Sequence, residues 1–90
     1  MTLPNDFPEL VYVSFDLDGL DPAVLPATGT PVPGGLGFYQ ALDLVSSACS
    51  GRKIVGMDIV ELAPSPAHPA SNFTAALVTY HLIALALSQR

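Results

Sequence analysis

Apolar positions along the chain fall into four blocks with two different periods. Leu10-Val11-Tyr12-Val13-Ser14-Phe15 and Ile54-Val55-Gly56-Met57-Asp58-Ile59-Val60 are short, nearly continuous runs rich in β-branched and aromatic residues. They have the pattern of strands covered on both faces, as in a parallel sheet. Phe38, Ala41, Leu42, Val45 and Cys49 recur at helical spacing, and Ser50-Gly51 closes that helix. A second helical stripe, Phe73, Ala76, Leu77, Tyr80, Ala84 and Leu87, is expected to face the core, with Ser71 as its N-cap. Met1 to Glu9 has no period and reads as a loop. Asp21 to Gly37 contains four prolines and four glycines, which excludes helix and central strand. A loop that long inside a compact domain usually carries function.

The resulting order is strand, long loop, helix, strand, loop, helix, an α/β arrangement. Two apolar strands joined through a helix predict a right-handed crossover within a parallel sheet. Ligands bind such sheets at the carboxyl ends of the strands. Asp16 and Asp18 follow the first strand and Glu61 follows the second, so these acids are expected to converge.

Composition narrows the setting. Of 90 residues, half are hydrophobic and only 12% are charged, too apolar a balance for a free-standing domain with so much surface. A piece of a larger domain is expected. The net charge of −5 disfavours nucleic acid or an anionic membrane as partner and is compatible with a cationic ligand. The single cysteine, Cys49, excludes an internal disulfide and a Cys-rich zinc site, and reads as a buried small hydrophobe in a reducing compartment. No basic-then-apolar leader opens the chain, and the longest apolar run near its end, Leu82 to Leu87, is too short to span a bilayer. A soluble, cytoplasmic protein is expected.

The chemistry concentrates in Asp16, Asp18 and Asp21, three carboxylates in six residues. Like charges so close raise the cost of ionising one another, and a cation is expected among them. In an extended chain Asp16 and Asp18 point to one side, about 6.6 Å apart, a spacing suited to one metal or a close pair. Turn chemistry accounts for Asp21-Pro22 but not for two acids at alternate positions of so apolar a strand. An EF-hand loop fails: counted from Asp16, the positions that need an oxygen ligand, a glycine and a glutamate hold Leu20, Asp21 and Ala27. Phe15-Asp16-Leu17-Asp18-Gly19 also resembles the haloacid-dehalogenase phosphatases, with a nucleophilic first Asp and an acid/base second one. Leu20-Asp21-Pro22 departs from that pattern and no later lysine and paired-acid segment follows, which leaves it a minor alternative.

Ser14-Phe15-Asp16-Leu17-Asp18-Gly19-Leu20-Asp21-Pro22, continued through Pro26-Ala27-Thr28-Gly29-Thr30-Pro31 to Gly34-Gly35, resembles the signature of the ureohydrolases, the family of arginases and agmatinases. Gly56-Met57-Asp58-Ile59-Val60-Glu61-Leu62-Ala63-Pro64 resembles the same family's last active-site strand. The resemblance runs from about Val11 to the final helix. It implies part of a three-layer α/β/α sandwich with a parallel sheet, residues 1–90 being the C-terminal part of one domain whose N-terminal part is absent. It also implies two manganese ions, bridged by Asp16 and with Asp18 chelating one, that activate water for attack on a guanidinium carbon to give urea and an amine. Thr30 would lie near the guanidinium, and Glu61 would pair with it and orient it.

From the residues alone, Thr30 is as simply a turn residue and Glu61 an acid in solvent. Asp21 reads as structural, Asp58 as a buried, hydrogen-bonded acid within a strand, and His68 and His81 as structural. The family's histidine ligands and remaining aspartates lie upstream, so these residues alone are expected to form a low-affinity divalent site and to be inactive. Pro64 to Ala76 looks more like agmatinase-type members, which points to agmatine, polyamine metabolism and, for the whole enzyme, a homo-oligomer. Arginine and guanidino acids remain open as substrates. The alternative from another class is a non-catalytic binding or assembly module that kept half a site.

Overall fold

A computed structural model describes residues 2–89; Met1, in the expected first loop, and Arg90 lie outside the described residues. The elements are strand β1 (Leu10–Asp16), a 3-10 turn (Leu17–Gly19), helix α1 (Phe38–Ala48), strand β2 (Lys53–Val60) and helix α2 (Ala70–Ser88). The expected order is met, with boundaries moved by a residue or two. The segment before β1 is a loop, as expected. It is held by Arg52, whose guanidinium donates to the Pro4 carbonyl at 2.9 Å and lies 5.4 Å from the Phe7 ring centre.

β1 and β2 pair in parallel. Val11, Val13 and Phe15 stand beside Ile54, Met57 and Ile59, while Tyr12, Ser14 and Asp16 stand beside Gly56, Asp58 and Val60. The register skips Val55, an irregularity between Val11 and Tyr12 that sets the faces of the two strands in phase thereafter. The first face packs under both helices: Phe15 joins Leu17, Leu20, Leu25, Ala41, Ala75, Val78 and Leu82 in the main core. Val11, Cys49 and Ile54 form a second cluster. Cys49 is buried as expected, and that burial pushes its thiol pKa up, with Arg52 partly opposing.

The other face is bare among the described residues, with Leu10 and Tyr12 each 61% exposed. Strands that read as covered on both sides are therefore covered on one. The described residues form two layers, sheet and one helical layer, of the α/β/α sandwich.

α2 departs most from expectation. Its buried residues are Ser71, Ala75, Val78 and Leu82, whereas Phe73, Tyr80 and Leu87 of the expected core stripe are 68%, 63% and 52% exposed. The physical reason is composition. No Asp, Glu, Lys or Arg occurs between Ala70 and Ser88, so apolar residues surround the helix and periodicity cannot choose a face. Ser71 is not the N-cap. Pro69 holds that position with φ −64°, and Ser71 lies inside the first turn, its hydroxyl accepting from the Ala27 N–H at 3.3 Å. By length and composition alone α2 is also apolar enough to cross a membrane, although the Leu82 to Leu87 run is too short to do so. Core helices of soluble proteins pass the same test.

Candidate metal and substrate site

Asp16 is the last residue of β1 and caps the 3-10 turn that follows: its Oδ1 accepts from the Asp18 N–H at 2.8 Å. Asp18 lies within that turn. The two acids are therefore not alternate residues of one extended strand, as the spacing suggests; the chain turns at Leu17, which is fully buried. Burying that leucine draws the backbone inward and brings the Asp18 amide onto the Asp16 carboxylate.

The long loop is tied down at several points. Asp21 Oδ1 accepts from the Ala23 N–H at 2.9 Å and its Oδ2 from the Gly34 N–H at 3.1 Å, which agrees with the structural reading of Asp21. Leu20 and Leu36 form a parallel bridge. There a Cβ on Gly35 would lie 2.7 Å from the Asp21 nitrogen, so only glycine fits the close approach. Leu25 and Ala27 are buried; full burial of a leucine is worth about 1.5–3 kcal/mol, enough to seat the loop on the core. The Ala63 N–H donates to the Ala27 carbonyl at 2.8 Å, joining this loop to the segment after β2.

Thr30 is thereby carried back to the acids, and its hydroxyl donates to Asp18 Oδ2 at 2.8 Å. The other oxygen, Asp18 Oδ1, is buried and has no hydrogen-bond partner. Thr28 Oγ1, in the same loop, is likewise buried without a partner. A buried carboxylate oxygen left unpaired costs about 1–3 kcal/mol or more, and a bound cation would remove that cost. The residues present thus fit a divalent metal, though only as part of a ligand set. Among the described residues no three His, Cys, Asp or Glu side chains gather closely enough to hold one.

Glu61 follows β2 directly. Since Asp16 pairs with Val60, Glu61 stands one residue beyond the partner of Asp16, at the same end of the sheet. Its φ is +74°, in the left-handed region that a residue with a Cβ enters at a cost of about 1–2 kcal/mol. Such strain persists where the surroundings impose it, and it clusters at functional sites.

Three neighbours were not legible as part of this region. Asp58 accepts from the Ser14 hydroxyl at 2.7 Å and from the Tyr12 hydroxyl at 3.0 Å, so it is hydrogen-bonded as expected, but half-buried and not buried, because the sheet face it stands on is open. Its partners, and Gly56 over which the Tyr12 ring lies, follow only from the pairing register. A Cβ on Gly56 would meet that ring at 2.9 Å. The one available signal is parity, since Tyr12, Ser14 and Asp16 alternate along β1. The hydrogen bond to Asp58 holds the Tyr12 phenol above its ordinary pKa. His68 is exposed in the loop before α2, and His81, also exposed, packs edge-on against Phe38, ring centres 5.8 Å apart.

Comparison with known proteins bears on the same residues. The model of the arginase family matches residues 3–85. The N(1)-aminopropylagmatine ureohydrolase of Thermus thermophilus is 47% identical over 75 residues, which are 83% of this chain and 25% of that protein. Among solved structures, the agmatine ureohydrolase of Thermoplasma volcanium superposes with a TM-score of 0.68 at 36% identity, over 87% of this chain and 26% of that one. Entamoeba histolytica arginase in complex with L-ornithine gives 0.70 at 31% identity, over 83% and 26%. The chain spans about a quarter of the length of the relatives it matches.

Proposed function

The chain belongs to the arginase family, and from that membership we propose that it forms one side of the active site of a manganese-dependent ureohydrolase. The substrate would be a small guanidino cation of the agmatine type, hydrolysed to urea and an amine. A single observation carries this reading: parallel pairing sets Asp16 opposite Val60, the residue before the strained Glu61, so that the acids following both strands lie at one end of the sheet. Acids thereby follow two neighbouring strand ends, where α/β sheets bind ligands, which supports reading Asp16 and Asp18 as metal-binding and Glu61 as guanidinium-binding.

In this proposal Asp16 and Asp18 hold metal, and the orphaned Asp18 Oδ1 is the atom most in need of it. When bound, the metal makes a water-derived nucleophile available near neutral pH. Glu61 accepts two N–H bonds from the planar guanidinium and fixes the carbon that water attacks. The C–N bond to the alkyl chain then breaks, and the amine leaves with a proton. Among the described residues no three His, Cys, Asp or Glu side chains gather to hold a metal, so the chain alone is predicted to release no urea.

The test is a chimera in which this chain replaces the corresponding segment of the Thermus relative. Urea release is measured with manganese on agmatine, aminopropylagmatine, arginine and guanidinobutyrate. Activity strongest on agmatine or its aminopropyl derivative supports the reading; a folded chimera that releases no urea from any of the four sinks it.

A further inference from the structure

We infer, on the proposed role of Glu61 as the guanidinium carboxylate, that Asp58 is a positioning residue which sets the register of β2 on β1 and thereby the place where Glu61 stands. Leu10 and Val11 pair with Lys53 and Ile54, but Tyr12 pairs with Gly56, and the register set there runs on to Asp16 opposite Val60. Continued without the skip at Val55, the first two pairs would put Met57 beside Ser14, Asp58 beside Phe15 and Ile59 beside Asp16. Glu61 would then lie two residues beyond the partner of Asp16 in place of one, a displacement of about 3.3 Å along the strand. A misplacement of about 1 Å already costs on the order of 100-fold where a substrate must be held for attack.

Little else in β2 chooses between the two registers. Ile54, Val55, Met57, Ile59 and Val60 are all apolar, so the strand turned over by one residue would still offer apolar side chains to the helices. Asp58 is different. In the observed register it lies on the open sheet face and accepts from the Ser14 hydroxyl at 2.7 Å and the Tyr12 hydroxyl at 3.0 Å. In the other it would stand beside Phe15, which is 8% exposed and part of the main core, on the far side of the sheet from both hydroxyls. A carboxylate buried without partners is costly. Gly56 completes the clamp: a Cβ there would meet the Tyr12 ring at 2.9 Å, so its absence lets the ring lie over β2 and its hydroxyl reach Asp58. Two donors of β1, two residues apart on one face, thus hold one acceptor of β2.

The experiment is steady-state urea release from agmatine by the chimera with the Thermus relative. The parent is compared with Asp58→Ala, Asp58→Asn, Glu61→Gln and the Asp58→Ala/Glu61→Gln double variant. Asp58→Ala removes the clamp and is expected to raise KM about tenfold or more, the scale of a lost charge-assisted hydrogen bond, with the manganese requirement unchanged. A protein that is merely less stable would lower kcat and leave KM alone. Asp58→Asn keeps the clamp, because hydroxyls donate to its amide oxygen and accept from its amide nitrogen, and is expected to hold KM within about twofold of the parent. Added to Glu61→Gln, Asp58→Ala is expected to raise KM little further, since both act at one contact. Ser14→Ala with Tyr12→Phe removes both donors and is expected to move KM in the same direction; it decides the matter where Asp58→Ala does not fold. An unchanged KM in Asp58→Ala overturns the inference, as does Asp58→Asn behaving like Asp58→Ala, which would show charge and not the clamp at work. Fully additive losses in the double variant overturn it too. If Glu61→Gln raises KM while Asp58→Ala does not, only the positioning role is lost. If Glu61→Gln leaves KM unchanged, the guanidinium reading of Glu61 fails, and the inference with it.

Discussion

Asp58 and Glu61, three residues apart, differ in how they meet the cost of their positions. Asp58 stands in an apolar strand and has both oxygens satisfied by hydroxyls of the neighbouring strand. An acid there needs partners, and that much is legible in sequence. Which hydroxyls supply them depends on a register offset by the skip at Val55, which no local pattern encodes. Tyr12, donating to Asp58, is predicted to titrate above its ordinary value of 10.0. The raised phenol favours the folded chain at neutral pH, and that contribution is lost as pH rises through the folded-state pKa. Ultraviolet titration of the phenolate should show the shift, and Asp58→Asn should return Tyr12 toward the ordinary range. An unchanged titration curve would count against the bond. Glu61 is satisfied differently: its left-handed backbone stores strain. Glu61→Gly is predicted to stabilise the chain by about 1 kcal/mol in urea denaturation while removing urea release from the chimera. A residue kept against its backbone preference is thus expected to trade stability for function.

Among the elements, α2 shows where reading by period fails. A stripe was visible in the sequence, but the helix buries a different one, because an uncharged helix offers no polar face to set orientation. Val78 and Leu82 are 0% and 1% exposed, against 63% for Tyr80. Leu82→Ala is therefore predicted to cost about 2–5 kcal/mol in unfolding of the chain, whereas Tyr80→Ser should change it by less than about 0.5 kcal/mol. The reverse order would restore the stripe read from sequence. The strands and α1 were legible for the opposite reason: short β-branched runs and a helix with exposed polar residues each carry one dominant period. The long loop was legible only as an exception to helix and strand. Its proline and glycine content ruled those out, while the bonds that seat it, from Asp21, Ala27 and Ser71, join positions far apart in sequence. Gly35→Ala should test that seating, since the new Cβ would meet backbone at 2.7 Å and must move the Leu20–Leu36 bridge. A stability loss in urea denaturation is the expected outcome.

At the scale of the whole molecule, the exposed sheet face, the apolar outer side of α2 and the small ligand set point the same way. Leu10, Tyr12, Phe73, Tyr80 and Leu87 are all more than half exposed, and the chain spans about a quarter of its relatives. The apolar composition signalled this in the sequence, and so did the Asp motif. The geometry of the motif did not, because Asp18 is placed by a turn and not by strand alternation. In the proposed function, the ninety residues contribute the paired strand ends, with Asp16 and Asp18 after one strand and Glu61 after the other. The most direct measurement is manganese-dependent urea release from agmatine by the chimera with the Thermus relative, with and without Asp18→Asn. If Asp18 holds metal, the substitution lowers kcat/KM at least about 100-fold at fixed manganese, the scale on which loss of a directly interacting group acts in active sites. An Asp18→Asn chimera as active as its parent would contradict the metal site proposed at the end of β1.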